Sequence, residues 1–238
     1  MADAARHWID GAWSEAGEIA ATVAVYTGAD HGRVRIGGEA VAEAAIAAAR
    51  RAFDRTGWSQ SPRLRAQVLF ELADAILARR DEIARNIAIE NGKVLAHCLP
   101  ETGAAVSEAR YCSGLARAVF GRVTEIDEGK QSILAHEAVG VAAIIVPWNA
   151  PSTLLLRSLG PAIAAGCSAV IKGAHQTSSV NRIFAECLAA CPSLPPGVVN
   201  LVHGEIDAAR TLCTHRDVDV VSCTASPATG KAITAGAA

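Results

Sequence analysis

A lysine and a Ser-Pro pair near the end of this sequence could bind phosphate. The stretch CTASPATGKA, residues 223–232, nearly matches the phosphate-binding pattern G-x-x-x-x-G-K-[ST]. Gly230 and Lys231 fit the pattern, whereas Ala225 replaces its first glycine and Ala232 replaces the hydroxyl that binds Mg²⁺. Three interpretations remain open at this point: an altered triphosphate loop, another kind of phosphate site, or an ordinary helix start.

Four polar turns, of which this stretch supplies the last, follow short apolar runs. The turns are Pro147-Trp148-Asn149 after 141–146, Lys172-Gly173-Ala174-His175 after 168–171, His203-Gly204 after 198–202, and Thr224-Ala225-Ser226 after 218–222. Apolar runs that alternate with helical segments predict parallel strands covered on both faces. Ligands of such sheets bind outside the carboxyl ends of the strands. We therefore expect the four turns to border one crevice of dinucleotide size.

The last turn leads into a predicted helix, whose first N–H groups would favour an anion. Ser226 is of the residue type that caps a helix, and Pro227 suits its first position. Only four lysines occur in the chain, and two of them, Lys172 and Lys231, lie in or after these turns. This placement favours a site for a phosphate-bearing ligand.

The elements that must position these turns can be outlined from periodicity. Apolar spacing predicts helices over 39–55, 62–90 and 101–119, the second ending at Asn91-Gly92. A hairpin of strands 122–126 and 131–137 follows, and further helices are predicted over 152–165, 178–190, 207–213 and from Pro227. The predicted fold is α/β, a doubly wound Rossmann-like parallel sheet preceded by N-terminal helices and a β-hairpin. We expect three parts: 1–121, 122–138, and a dinucleotide-binding core over 139–238.

Composition excludes several kinds of partner. A net charge of −2 on 238 residues argues against nucleic-acid binding, which requires a basic surface. No uncharged apolar run reaches about 18 residues, so no membrane partner is expected. The N-terminus lacks the basic-then-apolar order of a secretory signal, which predicts a cytoplasmic protein. The seven cysteines include no C-x-x-C pair and suit no zinc site, so no metal is expected.

In combination these residues resemble the NAD(P)-dependent aldehyde dehydrogenases, over nearly the whole chain. Five segments carry the resemblance: HWIDGAW (7–13), HEAVGVAAIIVPWNAP (136–151), GPAIAAGCSAVIK (160–172), LPPGVVNLVHG (194–204) and DVDVVSCTASPATGKAI (217–233). The resemblance implies the aldehyde dehydrogenase fold and oxidation of a small-molecule aldehyde to a carboxylic acid with NAD or NADP. It also implies a homo-oligomer, because the 122–137 hairpin is similar to the family's oligomerisation hairpin.

The family's roles can be carried onto matching positions. Asn149 resembles the asparagine whose amide N–H donates to the developing oxyanion. Lys172 resembles the lysine that binds the adenosine ribose hydroxyls, and Ser226 is expected to contact the pyrophosphate. The remaining expected cofactor contacts are the backbone of Val146, Pro147 and Trp148 beside the nicotinamide, His175 near the ribose, and the loop positions Gly204, Ala225 and Gly230.

This sequence departs from the family pattern at the same site. His175 stands where the family usually has the Glu that holds the ribose 2′-OH. Without that carboxylate, a 2′-phosphate is not repelled by a like charge at this position, so both NAD and NADP remain open. Glu205 and Asp207 replace a glycine-rich turn and add negative charge. Ala225 replaces a loop glycine, which would hinder close approach if the position required a positive φ.

The family's nucleophilic Cys and general-base Glu come after the helix that begins at Pro227, and no cysteine here has a matching context. We therefore expect this 238-residue chain to be the coenzyme-binding portion of such an enzyme and inactive by itself. Two other interpretations remain: a non-catalytic dinucleotide-binding or interaction module, and, less favoured, a P-loop nucleotidase.

Overall fold

The computed structural model describes residues 4–237. In chain order its elements are β1 (His7–Ile9), β2 (Ala12–Ser14), β3 (Glu18–Val23), β4 (Asp30–Ile36), α1 (Glu39–Arg55), α2 (Pro62–Ala78), α3 (Arg80–Asn91), α4 (Leu95–Leu115), β5 (Arg122–Asp127), β6 (Lys130–Leu134), β7 (Val141–Ile145), α5 (Pro151–Ala165), β8 (Ser168–Gly173), α6 (Ser178–Ala189), β9 (Val199–His203), α7 (Ile206–Thr214), β10 (Val220–Cys223) and α8 (Pro227–Ala237). A short 3₁₀ turn covers His175–Thr177.

Six strands form the central sheet in the order β10-β7-β8-β9-β1-β2. The four strands β10, β7, β8 and β9 are parallel, because a helix returns the chain between each successive pair. The N-terminal β1 extends this sheet by pairing antiparallel with β9, where Trp8 lies opposite Leu201. The predicted doubly wound α/β architecture is confirmed.

Helices cover both faces of the sheet. Helices α5 and α6 lie on one face, with α2, α3 and α4 packed behind them, while α1 and α7 lie on the other. Successive strand residues point to opposite faces, so Ile144 belongs to the larger buried cluster and Ala143 to the smaller one on the α1 and α7 side. Both faces of β7, β8 and β9 are therefore covered, as the sequence runs predicted, whereas the prediction was wrong for β10, which lies at the sheet edge and has no buried residue.

Several predicted boundaries were wrong. The helix predicted over 62–90 is interrupted at Arg79, whose guanidinium binds Glu82 and Glu186. The helix predicted over 101–119 spans Leu95–Leu115 and contains Pro100; before the proline, Cys98 is buried and Leu99 packs against the larger core cluster. The two-stranded sheet of β3 and β4 was not predicted at all. The end of the second helical pattern is confirmed, since Gly92 caps α3 with φ +71°.

The hairpin of β5 and β6 projects away from this core. Val123 lies opposite Ile133 and Arg122 opposite Leu134 in an antiparallel pair. Every residue of both strands is exposed, including the apolar side chains of Val123, Ile126, Ile133 and Leu134. The predicted hairpin is confirmed, with its turn at 128–129, although its second strand ends at Leu134 and not at 137.

Two histidines are buried where β1 and β9 meet. The backbone N–H of His203 donates to His7 Nδ1 at 3.1 Å, so His7 holds its proton on Nε2 and donates to the carbonyl of Ala16. His203 Nε2 faces the carbonyl of Arg6 at 3.2 Å and donates to it, which leaves Nδ1 without a partner within residues 4–237. Both rings are therefore neutral, and burial lowers the pKa of His203 to about 3.

Candidate functional site

A crevice of about 660 Å³ opens at the carboxyl ends of β7, β8 and β9. Helices α7 and α8 form its walls, and the loop after β8 closes one side. The lining residues are Ile145, Lys172, His175, Gln176, Gly204, Glu205, Ile206, Ala209, Arg210, Cys213, Thr214, Thr229, Ala232, Ile233 and Gly236. The volume falls within the range of small-molecule and cofactor sites. A crevice at the expected sheet edge is therefore present.

Lys172 lies at the floor of this crevice. It is in register with Ile145 on β7, which in turn is in register with Cys223 on β10, so the three side chains point to the same face. Burial lowers the pKa of Lys172, although the charges of Cys223 and Glu205 act in the opposite direction. Within residues 4–237 its ammonium makes no hydrogen bond or ion pair. A partly desolvated cation without a protein partner suits hydroxyl or phosphate oxygens of a ligand.

His175 and Glu205 face each other across the upper part of the crevice. His175 Nδ1 lies 3.6 Å from Glu205 Oε1, and both side chains are substantially exposed. His175 belongs to the 3₁₀ turn after β8, and Glu205 follows β9 directly, so neighbouring parallel strands bring them together. The position that lacks the family's usual carboxylate is thus faced by a carboxylate from the next strand.

The N-termini of α7 and α8 differ in charge. Glu205 is the N-cap of α7 and Asp207 lies in its first turn, so two carboxylates already occupy the end that would attract an anion. Helix α8 has no acidic residue in its first turn. Ser226 Oγ accepts a hydrogen bond from the N–H of Thr229 at 3.3 Å, which confirms the predicted cap, with Pro227 as the first helical residue. Of the two ends, α8 suits phosphate better.

The three predicted loop positions meet different surroundings. A Cβ on Gly204 would lie 2.6 Å from the Ala208 side chain and 2.9 Å from the Gly37 carbonyl, so close packing already requires glycine there. A Cβ on Gly230 would meet nothing within 4 Å, and this residue lies inside α8. Among residues 4–237 the one non-glycine residue with positive φ is Asp10, so Ala225 carries no left-handed strain. The condition under which Ala225 was expected to hinder close approach, a positive φ, is therefore not met.

Asn149 and the residues before it lie beside the crevice rather than in its lining. Val146 is buried, whereas Trp148 and Asn149 are exposed. Because β7 and β10 are neighbours in register, the residues after Ile145 emerge next to Ala225 and Ser226, which also lie outside the lining. The predicted site is therefore split: Lys172, His175 and Gly204 line the crevice, Gly230 lies inside α8, and the others border the adjacent strand ends.

A buried carboxylate fixes the helix that follows Asn149. Glu101 accepts a hydrogen bond from the Ser152 hydroxyl at 2.9 Å, in the first turn of α5. Its second oxygen lies 2.6 Å from Lys93 Nζ. The loop from Pro147 to Ala150 is thereby anchored at its helical end, which limits the positions that Asn149 can adopt.

None of the seven thiols is activated as a nucleophile. Burial raises the pKa of every one of them, to about 12 for Cys112, Cys187 and Cys191. A reactive cysteine instead requires a lowered pKa. The remaining four with raised pKa values are Cys98, Cys167, Cys213 and Cys223. Residues 4–237 contain no group of three or more His, Cys, Asp or Glu side chains that could hold a metal ion. In the same part of the chain, no helix is both long and apolar enough to cross a membrane.

The helical walls of the crevice were missed by the sequence reasoning. They come from Ile206, Ala209, Arg210 and Cys213 on α7, and from Thr229, Ala232, Ile233 and Gly236 on α8. In each helix the spacing is i, i+3, i+4, i+7, which places the residues on one face. That shared spacing was a readable signal, but it does not say which sheet edge the face covers.

The fold and the crevice define a doubly wound α/β protein with a cavity of cofactor size at the carboxyl ends of its parallel strands. The model of the aldehyde dehydrogenase family matches residues 13–238, so this chain belongs to the aldehyde dehydrogenase family. The family interpretation from the sequence motifs is confirmed, and the triphosphate-loop interpretation of 223–232 is set aside.

Relatives and solved structures agree with this assignment. The chain is 35% identical over 232 residues to the NADP/NAD-dependent aldehyde dehydrogenase PuuC of Escherichia coli K12, covering 95% of this chain and 46% of the relative. It is similar to the NAD⁺ complex of a Bacillus cereus aldehyde dehydrogenase, with a TM-score of 0.94, 32% identity, and 98% and 48% coverage. An NADP-dependent enzyme of E. coli gives a TM-score of 0.93, 29% identity, and 98% and 49% coverage. The chain spans about half the length of these proteins.

Proposed function

We propose that residues 4–237 form the coenzyme-binding part of an aldehyde dehydrogenase that uses NAD or NADP. One observation carries the proposal: Lys172, partly desolvated and without a protein partner, lies in a 660 Å³ crevice at the carboxyl ends of the strands. The donor set fits a dinucleotide, because an ammonium, a free helix N-terminus and backbone N–H groups match ribose hydroxyls and a pyrophosphate. The division into 1–121, 122–138 and 139–238 stays a prediction.

Each residue then has a defined task. Lys172 donates to the adenosine ribose hydroxyls, and Ser226 with the first turn of α8 binds the pyrophosphate. The backbone of Val146, Pro147 and Trp148 borders the nicotinamide, which accepts a hydride when bound. Asn149, exposed and anchored through α5, donates its amide N–H to the oxygen of the aldehyde as negative charge develops there.

Calorimetric titration of the chain with NAD and with NADP tests this proposal. Lys172→Ala should weaken binding of both dinucleotides by about tenfold or more, because a charge-assisted hydrogen bond in a desolvated site is lost. Lys130→Ala is the matched control, since Lys130 is exposed on the hairpin strand β6 and does not line the crevice. Equal affinities for the wild-type chain and Lys172→Ala would contradict the assignment.

Aldehyde oxidation is proposed for the protein that carries the family's complete catalytic set, and not for this 238-residue chain alone. All seven thiols here have raised pKa values, so none supplies the thiolate that attacks an aldehyde. We expect no steady-state reduction of NAD or NADP by the chain with aldehydes above a blank. A rate well above that blank contradicts this expectation.

The alternative is a non-catalytic dinucleotide-binding or interaction module. The two carboxylates at the N-terminus of α7 favour it, because they repel phosphate groups near the crevice. The same titration separates the two: a folded chain that binds neither NAD nor NADP supports an interaction module. Binding with affinity lost in Lys172→Ala supports the coenzyme site.

We also propose that the hairpin mediates homo-oligomer formation. Its four exposed apolar side chains and its free strand edges can pair with a second copy of the chain. Light scattering over a concentration series should give a mass above that of one chain. A monodisperse monomer at every concentration contradicts the proposal.

The predicted cytoplasmic location is supported by seven unpaired thiols, which persist in a reducing compartment.

A further inference from the structure

We propose that Glu205 selects a dinucleotide with a free ribose 2′-OH, so that this crevice prefers NAD over NADP. The inference rests on the proposed coenzyme site and names the residue that discriminates between its two candidate ligands. The sequence alone left both cofactors open, because His175 occupies the position where a carboxylate was expected.

The structure returns a carboxylate to that position from the neighbouring strand. Glu205 follows β9 directly, and its Oε1 lies 3.6 Å from His175 Nδ1. Both residues line the crevice together with Lys172. The parallel register of β8 and β9, with Gly173 opposite His203, fixes this proximity. Glu205 therefore reaches the same part of the crevice as the side chain at position 175.

Among the described residues that line the crevice, Glu205 is the one carboxylate, whereas Lys172 and Arg210 are cations. Within this lining, the repulsion of a 2′-phosphate therefore comes from this single negative charge. Its oxygens accept hydrogen bonds from a ribose diol but repel a phosphate dianion. Arg210 offsets the repulsion only in part, because its side chain is 70% exposed and water and salt screen its charge.

The charge of Glu205 also acts on the floor of the crevice. It is one of the groups that opposes the lowering of the Lys172 pKa by burial. The carboxylate therefore helps to keep Lys172 protonated while it remains free to bind ribose hydroxyls. Glu205 would then act on the ribose in two ways: its own oxygens accept hydrogen bonds from the hydroxyls, and its charge keeps Lys172 protonated so that the ammonium can donate to them.

The test compares two variants that remove one negative charge from the start of α7. Glu205→Gln alters the crevice, and Asp207→Asn is the matched control because Asp207 lies on the same helix end but outside the lining. Dissociation constants for NAD and NADP are measured by calorimetry. ADP-ribose and its 2′-phosphate are measured as a second pair, which differs by the same phosphate and lacks nicotinamide.

The wild-type chain should prefer NAD by at least about tenfold, since an uncompensated like charge costs at least that factor. Glu205→Gln should lower the preference to near one or reverse it, Asp207→Asn should retain it, and the ADP-ribose pair should give the same ratios. Equal wild-type affinities, an unchanged ratio in Glu205→Gln, or an equal change in Asp207→Asn overturns the inference. A wild-type chain that binds neither dinucleotide overturns the proposed coenzyme site itself.

Discussion

The central strands and the projecting hairpin are both paired through backbone hydrogen bonds, parallel in the sheet and antiparallel in the hairpin, but their side chains have opposite environments. Every residue of β7 and β9 is buried, whereas every residue of β5 and β6 is exposed. Backbone pairing is therefore common to both regions, and burial of apolar surface distinguishes them. The strands of the sheet are expected to carry the stability of the fold, and the hairpin to carry contacts with another chain.

The largest expected effect on stability comes from shortening a leucine side chain in the core. Leu156 in α5 is fully buried in the cluster between the sheet and the outer helices. Leu156→Ala should lower the free energy of unfolding by about 2–5 kcal/mol, through lost burial and a cavity. Leu134→Ala in the hairpin is the matched control and should cost less than about 0.5 kcal/mol. Urea denaturation of both variants measures the difference, and equal costs contradict the comparison.

The next effect is a loss of stability in acid from the buried histidine pair. The folded pKa of His203 is about 3, below its unfolded value of about 6.5, so the unfolded chain binds the extra proton between these values. The free energy of unfolding is therefore unaffected by His203 above about pH 6.5, and titration of this residue lowers it by about 1.4 kcal/mol for each pH unit below that value. His203→Gln, which keeps an N–H donor toward Arg6, should show a smaller decline between pH 6.5 and 4.5.

The control for this experiment is His136→Gln, which changes an exposed histidine near the hairpin. Glu90 titrates in the opposite sense, because burial raises its pKa to about 7 and its contribution to stability falls as pH rises from about 4.5 to 7. Since Glu90 is present in every chain compared, it cancels in the difference. Parallel pH profiles for wild type and His203→Gln would contradict the assignment.

A smaller effect is expected from the ion pairs that join the helices. Arg79, at the junction of α2 and α3, binds Glu82 on α3 and Glu186 on α6. Arg79→Ala should lower the free energy of unfolding by about 1 kcal/mol, because a partly buried network is lost. Arg122→Ala, an exposed arginine of the hairpin, should change it by less than about 0.5 kcal/mol. Thermal and urea denaturation compare the two, and the larger loss in Arg122→Ala would refute the prediction.

A substitution in the hairpin is expected to have the smallest effect on stability and the largest effect on association of the chains. Ile133 is exposed on β6, opposite Val123. Ile133→Thr keeps a β-branched residue, so the free energy of unfolding at low concentration should change by less than about 0.5 kcal/mol. Light scattering should show a marked fall in the mass of the oligomer. A large loss of stability without a change in mass would show that the hairpin belongs to the core.

Much of the fold was predictable because its signals are local. The largely apolar runs at β7, β8 and β9 predicted buried parallel strands, and Asn91-Gly92 predicted the end of a helix. The break at Arg79 and the start of α4 before Pro100 were missed, because each depends on partners far away in sequence. Strands β3 and β4 were missed because β4 contains a glycine and several charged residues, and because the two strands form a sheet of their own by pairing with each other.

The candidate site divides in the same way. The sequence by itself determined the turns after the strands, the cap at Ser226 and the family motifs, because residue type and spacing set strand ends and helix starts. Only the tertiary structure decided that Glu205 faces His175, that Lys172 has no protein partner within residues 4–237, and that α7 and α8 wall the crevice. Those facts depend on the register of neighbouring strands and on helix packing, which join residues that the sequence keeps far apart.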